Sequence, residues 1–488
     1  CTQPRRISAI GLADRVSDER LSPIGQEVGY IIKGESKVSQ ATKITFVTTG
    51  VLLRRLQNSG GDMELSTKLA DISHVIIDEV HERSLDTDLL LILLKKIMMK
   101  RKNLKLILMS ATLDAKVFAD YFQELGEVGR VEISGRAFPV EDYYLDDVIR
   151  KTGFSLSNSK GNQENEFDLS QVDTRAAENL QAIPMRINYG LITQLVKEID
   201  IDLSHLKQNL GILIFMPGVY EIHQTLDRLR SISNLYVLPL HASLQSTEQR
   251  KVFCHAPPGK RKVVIATNVA ETSITIDDIV VVIDSGRVKE TSFDAKNQIR
   301  KLEDVWASRA ACKQRRGRAG RVQAGKCYKL YTRELEMNKM LERSEPEIRR
   351  VPLEQLCLSV RAMGIKEVSK FLDGALTPPE SLAVDSAMKL LERMGALDGN
   401  ELTALGCHLS MIPADLRCGK LMVYGAIFGC LDACVTIAAI LTSQSPFVSP
   451  MEKKEQSTAV RAKFSQNHGD LIGDLRAFEQ WSEMVSKK

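Results

Sequence analysis

Two adjacent carboxylates, Asp78 and Glu79, directly follow the apolar run 75–77. In an open parallel sheet, ligands bind where loops leave the carboxyl ends of the strands. Two carboxylates at such a place suit magnesium–nucleotide chemistry, because one can hold the cation through water while the other takes a proton from an attacking water. For an Asp-Glu pair alone, a solvated loop whose acids cap the next helix is the simpler interpretation.

A second cluster is basic: four arginines occur within the seven residues 315–321. Such crowding is unfavourable unless a polyanion neutralises it, and planar guanidinium groups suit the charge that develops on a γ-phosphate. Arg318 and Arg321 share a face at i,i+3 if the segment is helical. A basic surface patch or a localisation signal is the alternative. The two interspersed glycines favour close approach of the backbone instead.

Polar residues also follow two other apolar runs. Ser110 and Thr112 come directly after the run 106–109. Because parallel strands end at the same edge of a sheet, we expect polar and acidic groups to gather at one edge. The polar run that follows 263–265 contains Thr267, Glu271, Ser273, Thr275 and Asp277.

The elements that must position these groups alternate over the first 330 residues between short β-branched runs and longer helical patterns. That alternation is typical of parallel α/β architecture. Strands are predicted at 43–48, 74–77, 104–109, 211–215, 262–266 and 279–283, apolar on both faces and therefore covered on both sides. Helices are predicted at 86–100 and 220–232. Helices dominate after Tyr331, and the polar stretch 151–182 is predicted to be an insertion or linker.

Composition sets wider limits. A chain of 488 residues suggests roughly three domains at ~150 residues each. The net charge of +4 is too small to indicate nucleic acid, so any RNA surface must come from local clustering. The nine cysteines form no CxxC pair, which favours a reduced, intracellular protein. The apolar stretch 425–442 is predicted to be a buried helix and not a membrane span.

In chain order, seven segments match the motif set of one family. They are TQPRR (2–6), TTG (48–50), DEVH (78–81), SAT (110–112), ILIFMPG (212–218), ATNVAETSITIDD (266–278) and QRRGRAGR (314–321). Together they make the chain resemble the DEAH/RHA helicases of superfamily 2. The DEVH spelling, with VPLEQLCL (351–358) and SPFVSP (445–450), is similar to the subgroup that contains ribosome-associated and RGG-type cytoplasmic members.

The resemblance implies a fold class: α/β, with two RecA-like parallel-sheet domains followed by a winged-helix and a helical ratchet (HA2) domain. The expected ranges are 1–145 for the first RecA-like domain, 146–185 for a polar linker, 186–333 for the second RecA-like domain, 334–400 for the winged helix and 401–488 for an incomplete ratchet domain. A plain helical bundle is the alternative for the C-terminal part. The family's phosphate loop, G-x-x-x-x-G-K-[ST], occurs nowhere in the 488 residues. We therefore expect a fragment that lacks this loop and the C-terminal OB domain.

Catalytic roles follow from the resemblance. Asp78 is expected to hold Mg²⁺ through water, and Glu79 is expected to be the general base. The residues that would couple nucleotide state to domain closure are His81, Ser110 and Thr112. Those that would meet the γ-phosphate, with the arginines acting as fingers, are Gln314, Arg318 and Arg321.

Ligand contacts are implied in the same way. Ser273, Thr275 and Asp277 are expected near the nucleotide. Arg15 and Phe253 are placed, by position only, to sandwich the adenine, and ordinary core packing is the alternative for Phe253. The residues expected to hold the RNA backbone independently of sequence are Arg5, Arg6, Thr48 and Thr267. The segment 286–306 falls where the family carries a strand-separating β-hairpin.

The resemblance therefore predicts an RNA helicase that uses ATP or another NTP with Mg²⁺ and moves 3′→5′, its hydrolysis stimulated by RNA and coupled to closure of the RecA-like domains. The fragment alone is expected to be inactive because it lacks the phosphate loop. The expected partners are single-stranded or structured RNA and a ribosome or ribonucleoprotein, with no membrane, for a cytoplasmic monomer; a nuclear location is the alternative. The rival functions are a non-catalytic RNA-binding scaffold and a DNA helicase. A metabolic α/β enzyme is disfavoured because no nucleophile–histidine–acid set is present.

Overall fold

The structure is a computed structural model that describes residues 1–57, 67–111, 115–133, 135, 138–154, 187–205, 210–272, 276–294, 297, 299–443, 447, 454–466 and 468–487. The chain divides into two compact units. The larger contains Cys1–Arg55, Leu69–Asp294 and Ile299–Val351, and most of the smaller is Pro352–Lys488. The larger unit holds all the residues to which the sequence assigns a role.

The first sheet has six strands in the order β3-β2-β4-β1-β5-β6. Its strands are β1 (Thr2–Gln3), β2 (Val28–Ile32), β3 (Glu35–Lys37), β4 (Ile44–Thr48), β5 (His74–Ile77) and β6 (Lys105–Leu108). Neighbours are parallel except β2 and β3, which are antiparallel. Because β1 lies between β4 and β5, the TQPRR segment leaves the sheet beside TTG and DEVH.

Four α-helices accompany this sheet: α1 (Arg6–Glu19), α2 (Thr49–Gln57), α3 (Leu85–Lys100) and α4 (Ala115–Phe122). Short 3₁₀ turns occur at Thr67–Leu69, Val80–Glu82 and Gln123–Leu125. Helix α3 starts where the Ser84 side chain accepts the Thr87 N–H, and Asp86 and Asp88 occupy its first turn. A polar cap and acidic residues at this end satisfy free N–H groups and complement the helix dipole. The helix then buries six consecutive apolar side chains, Leu89 to Leu94.

The second sheet is entirely parallel and follows the order β7-β14-β11-β8-β10-β9. The strands of this part of the chain are β7 (Val140–Tyr143), β8 (Gly211–Phe215), β9 (Leu235–Leu240), β10 (Arg261–Ala266), β11 (Ile279–Asp284), β12 (Arg287–Asp294), β13 (Ile299–Trp306) and β14 (Gly325–Lys329). Its helices are α5 (Leu145–Thr152), α6 (Tyr189–Ser204), α7 (Val219–Arg230), α8 (Ser246–Arg250), α9 (Arg309–Arg316), α10 (Arg333–Asn338) and α11 (Glu347–Arg350), with 3₁₀ turns at Lys251–Phe253 and Asn268–Ala270. Apolar clusters cover both faces of the sheet, as continuous β-branched strands require.

The second domain begins earlier than the sequence suggests. The sequence assigns residues up to 145 to the first domain, but β7 pairs with β14 in the second sheet. Leu145 and Val148 of α5 are fully buried in the second core. The first part of the expected linker is therefore helical and structural, and residues 155–186 lie outside the described residues.

Strands β12 and β13 form an antiparallel hairpin of eight residue pairs, from Arg287–Trp306 to Asp294–Ile299. The expectation of a hairpin over 286–306 is therefore confirmed. Its root is tight: Gly286 has φ +67°, and a Cβ there would lie 2.5 Å from the Tyr331 ring. Only glycine tolerates this conformation and this approach together.

The smaller unit is mostly helical. Its helices are α12 (Glu354–Ala362), α13 (Val368–Leu372), α14 (Ser381–Arg393), α15 (Ala404–Met411), α16 (Leu416–Ile427), α17 (Leu431–Thr442), α18 (Lys454–Ser465) and α19 (Asp470–Ser486). Strands β15 (Leu397–Asp398) and β16 (Glu401–Leu402) form a small antiparallel pair. Among the residues described after Tyr331, β15 and β16 are the only strands. The prediction that strands become rare after this point is therefore confirmed.

One prediction for this unit is wrong. The stretch 425–442 is not a single buried helix, because α16 ends at Ile427 and α17 begins at Leu431. Gly429 lies between them with φ +72°, a left-handed conformation that ends a helix. Phe428 is 75% exposed at this break. Over the part of the chain with described coordinates, no helix combines the length and the apolar character needed to cross a bilayer.

Candidate active site

The carboxylate of Asp78 is fixed at the end of β5 by two donors. The Gln3 side-chain amide donates to Oδ2 at 2.8 Å, and the Glu79 backbone N–H donates to Oδ1 at 2.8 Å. Gln3 is fully buried, and its Oε1 has no hydrogen-bond partner among the described residues. An unpaired buried oxygen beside a carboxylate can accept a hydrogen bond from a further donor, such as water.

The loop after Asp78 is strained. Glu79 has φ 52° and Arg83 has φ 51°, and neither is glycine. Left-handed backbone at ordinary residues persists only where the surroundings enforce it, and it concentrates at functional sites. One enforcing contact is the Val80 N–H, which donates to the Met109 carbonyl at 3.1 Å. The fold therefore holds the Glu79 backbone in a conformation that the local sequence does not favour.

His81 connects three motifs. Its Nδ1 accepts the Ala111 backbone N–H at 3.3 Å. Its Nε2 lies 2.7 Å from Nε2 of the Gln314 side-chain amide and 3.5 Å from Glu79 Oε2. Gln314 belongs to α9 of the second domain. The imidazole thus links the DEVH loop to the SAT segment and to the arginine-rich helix across the cleft.

Arg318 is the guanidinium that faces this loop. It is 7% exposed, and its Nε donates to the Glu271 carbonyl at 2.9 Å. Its pKa is lowered to about 10, mainly by burial and then by the nearby Arg321, while the negative charge of Glu79 acts in the opposite direction. Glu79 and Arg318 are therefore within electrostatic range of each other. Arg321 is exposed to solvent in the same region.

The other two arginines of the cluster have structural contacts. Arg315 is 2% exposed, and it pairs with Glu271 at 3.0 Å and with Asp284 at 2.9 Å. Its guanidinium also lies over the Phe215 ring, 5.2 Å from the centroid. Burial disfavours the charged form, but the two carboxylates outweigh it and raise the arginine's pKa. Arg316 binds Asp142 at 2.8 Å on β7's side of the sheet.

Arg5 and Glu82 join the two α/β domains. The Arg5 guanidinium donates to the carbonyls of Asn268 and Val269 at 2.7 and 2.9 Å, and it lies 3.5 Å from Glu82. Glu82 also accepts the hydroxyl of Thr272, which is 2% exposed. In this conformation, the Arg5 side chain therefore contacts the second domain.

Of the two residues proposed to sandwich the adenine, Arg15 belongs to the first domain and Phe253 to the second. Phe253 is 44% exposed, so the core-packing alternative for this ring is wrong. Arg15 is fully exposed; its bond to Glu19 at 2.6 Å is the main cause that raises its pKa, and Asp277 of the second domain contributes. Asp277 is itself exposed. The exposed ring, the guanidinium and the carboxylate are thus accessible to a ligand.

We expect Phe253→Ala to raise KM for ATP about tenfold with little change in kcat, because base–aromatic stacking contributes about 1–3 kcal/mol. The measurement is steady-state hydrolysis over a range of ATP concentrations in the full-length protein. Tyr220→Ala is the matched control, since it removes another exposed ring, 64% accessible, from the same domain. An unchanged KM in Phe253→Ala would exclude stacking on this ring.

The four residues expected to hold RNA backbone lie at strand ends or just beyond them. Thr48 ends β4 opposite Gln3, and Thr267 directly follows β10. Arg6 is exposed as the first residue of α1, two residues after Pro4. Ser110 follows β6 and is exposed as well. The remaining predicted site residues, Thr112, Ser273 and Thr275, lie outside the described residues.

Three contributors to the site have no role assigned from the sequence. Gln3 holds Asp78 from a position 75 residues away, and Glu271 binds Arg315 through its carboxylate and Arg318 through its carbonyl. Glu82 pairs with Thr272 across the cleft. Gln3 lies within TQPRR and Glu271 within the polar run after β10, so position within a motif was the available signal. Their partners are set by the fold.

Two α/β domains that oppose acids and arginines across a cleft define the class of helicase motors. Residues 191–323 match the helicase conserved C-terminal domain. Residues 387–414 match the winged-helix part and residues 415–475 the ratchet-like part of the helicase-associated domain HA2. The boundary expected from the sequence between these last two parts is residue 400, whereas the matched parts meet between residues 414 and 415. The chain belongs to the DEAH/RHA helicase family, and the predicted fold class is confirmed.

Three similar proteins support this assignment. The putative ATP-dependent RNA helicase ucp12 of Schizosaccharomyces pombe is 43% identical, covering 100% of this chain and 35% of that protein. A putative DEAH-box ATP-dependent helicase of Mycosarcoma maydis is 42% identical, covering 100% of this chain and 34% of its own length. The crystal structure of the Escherichia coli DEAH/RHA helicase HrpB has a TM-score of 0.72 at 28% identity, covering 94% of this chain and 54% of that one. The chain thus spans about a third of the two curated relatives.

Proposed function

We propose that this chain is the motor core of an RNA-stimulated nucleoside triphosphatase that moves 3′→5′ along single-stranded RNA. The observation that carries the proposal is the 2.7 Å contact between His81 of the DEVH loop and Gln314 of the arginine helix. It brings two carboxylates and two guanidinium groups to opposite walls of one cleft. A triphosphate has the charge and the size that such a cleft accepts.

In this proposal Glu79 takes the proton of the attacking water. Its carboxylate is held by a strained backbone, so little reorganisation is needed when the proton moves. Asp78 is the residue that would hold Mg²⁺ through water, which fits the ion's preference for one or two carboxylates, retained waters and substrate phosphates. The unpaired Gln3 Oε1 is a further oxygen acceptor for such a water. The ion, when bound, neutralises charge on the phosphate oxygens.

The second domain supplies the opposing charges. Arg318 is already held by the Glu271 carbonyl, and its low exposure strengthens any bond to a phosphate oxygen. Arg321 lies beside it and would complete the clamp on the γ-phosphate. Closure of the domains would bring both arginines to the nucleotide, and release after hydrolysis would let them separate. His81 contacts residues of both domains, so closure and opening of the domains would make and break its contact with Gln314.

RNA is the proposed partner, and its phosphate–sugar backbone is the part contacted. Arg6, Thr48 and Thr267 are placed at strand ends where a backbone could pass over both sheets, a contact that is independent of base sequence. The two curated relatives are named as helicases, one of them an RNA helicase. We propose a cytoplasmic monomer that acts on RNA alone or in a ribonucleoprotein such as the ribosome.

The test compares ATP hydrolysis by the full-length protein with RNA, with DNA of the same sequence and with no nucleic acid. We expect RNA to stimulate turnover strongly and DNA to do so weakly. A tailed duplex then gives the direction, and unwinding only from a 3′ single-stranded tail is expected. Equal stimulation by DNA would favour a DNA helicase.

The same assay on the 488 residues alone addresses the scaffold alternative. No G-x-x-x-x-G-K-[ST] motif is present in them, and backbone N–H groups with a lysine normally cradle the phosphates. We propose that this chain alone hydrolyses ATP no faster than background while it still binds RNA. If a version that carries a phosphate loop is equally inactive, the protein is an RNA-binding scaffold.

A further inference from the structure

Residues 341–350, which we call the strap, contact both α/β domains and the hairpin of the larger unit. At its start, the carbonyls of Leu341 and Glu342 accept the N–H groups of Arg309 and Ala310 at 2.8 and 3.1 Å. Those N–H groups belong to the first turn of α9, the arginine helix. At its end, Arg350 donates to the Thr291 carbonyl of the hairpin at 3.4 Å. The strap is therefore tied to the second domain at both ends.

The middle of the strap is bound to the first domain through Glu347. Its carboxylate accepts the Leu85 N–H at the first turn of α3, at 2.8 Å. Its own N–H donates to the carbonyl of Arg83 at 3.1 Å. Arg83 lies two residues after the DEVH motif (78–81) and is one of the two residues with left-handed backbone in this loop. Its guanidinium donates to the buried Asp88 through two bonds of 2.8 and 3.0 Å. One glutamate thus fixes the end of the loop that begins with Asp78 and Glu79.

Glu347 does not touch the reacting groups. A cavity of about 430 Å³ is lined by Glu347 and Arg350 and also by His81 and Gln314, and no bond joins Glu347 to either of the latter two among the described residues. Any influence of Glu347 on hydrolysis must pass through the loop backbone. Strained backbone relaxes when an enforcing contact is lost, and a shift of about 1 Å in a catalytic group can reduce turnover on the order of 10²-fold.

We infer that Glu347 is a positioning residue for hydrolysis: it pins the strained DEVH loop to the strap and so keeps Glu79 in register with the arginine helix. This inference rests on the proposed function. It adds a residue 268 positions after Glu79 in the chain, outside the motifs, and it assigns the strap the task of joining the loop, the arginine helix and the hairpin.

The experiment measures RNA-stimulated ATP hydrolysis by the full-length protein. We expect Glu347→Ala to lower kcat about tenfold or more, with KM for ATP changed less than about threefold, because the loop and not the nucleotide contact is displaced. Glu347→Gln should stay within about threefold of wild type, since the amide oxygen can accept the same Leu85 N–H. Glu345→Ala is the matched control, an exposed glutamate two residues earlier on the strap.

Three results would contradict the positioning role of Glu347, and one further result would remove the proposed function as well. Equal kcat in Glu347→Ala and Glu345→Ala would overturn the inference, and so would a glutamine variant as slow as the alanine variant. If Glu347→Ala does not fold, Glu347→Asp tests the same bond, because its side chain is one methylene shorter; wild-type kcat in that variant would overturn the inference too. A wild-type protein without any RNA-stimulated hydrolysis would remove the proposed function, and the inference with it.

Discussion

Glu79→Gln is expected to lower kcat for RNA-stimulated ATP hydrolysis by roughly 10²- to 10⁴-fold, the usual contribution of a general base. The substitution keeps the size of the side chain and its capacity to accept hydrogen bonds, but the amide cannot take a proton. Because Asp78 and the arginines are unchanged, KM for ATP should shift little. The measurement is steady-state hydrolysis in the full-length protein with saturating RNA.

Two controls make this result specific. Glu127→Gln removes one negative charge from an exposed position of the same domain and should leave turnover unchanged. RNA binding by the Glu79→Gln protein should also remain, since the proposed RNA contacts lie on other residues. Turnover by Glu79→Gln close to that of wild type would contradict the role of Glu79 and would direct the search for a base elsewhere in the cleft.

Arg315→Ala is expected to destabilise the second domain by about 3–5 kcal/mol, because removal of one partner leaves buried carboxylates without compensation. Asp284 is fully buried, the Glu271 side chain is 14% exposed, and both pair with this guanidinium. Arg315 also donates to the Arg287 carbonyl at the hairpin root, at 3.3 Å. The change should therefore loosen the arginine helix and the hairpin together. Urea unfolding of the 488-residue chain, followed by circular dichroism, measures the shift.

The neighbouring arginine is a matched control. Arg316 and Asp142 form a pair in which the side chains are 34% and 29% exposed. Pairs this close to solvent typically contribute about 0–1 kcal/mol, so Arg316→Ala should shift the unfolding transition much less. Similar losses of unfolding free energy in the two variants would show that the burial of Arg315 does not determine how much it contributes to stability.

Six strands and the edge of the sheet where polar residues gather could be predicted from the sequence, because buried parallel strands are apolar on both faces and that pattern is local. The expectation that all six strands are covered on both sides is wrong for two of them, since Ile44 of β4 is 39% exposed and Ile107 of β6 is 43% exposed. The helix predicted at 220–232 is observed at Val219–Arg230, again because its pattern is local: Ile222, Leu226 and Leu229 recur at helical spacing, and all three are buried. Local periodicity does not show where a continuous apolar run is interrupted, so the break at Gly429 escaped prediction.

The division of labour among the arginines could not be predicted. Arg315, Arg316, Arg318 and Arg321 look equivalent in a basic run, but their surroundings come from distant parts of the chain. Arg315 finds Glu271 and Asp284, 44 and 31 residues away. The left-handed backbone of Glu79 had no signal either, because the residue is not glycine and the contacts that enforce the conformation are tertiary.

The length of the hairpin sets how far its end moves when its base tilts. Eight paired residues on each strand extend it about 26 Å at ~3.3 Å per residue. A tilt of roughly 10° at its base would move the far end through about 4–5 Å, a distance similar to the rise of one or two residues along a strand. Angular changes in the cleft that are too small to displace a nucleotide could thus be amplified into steps of molecular size at the other end of the same domain.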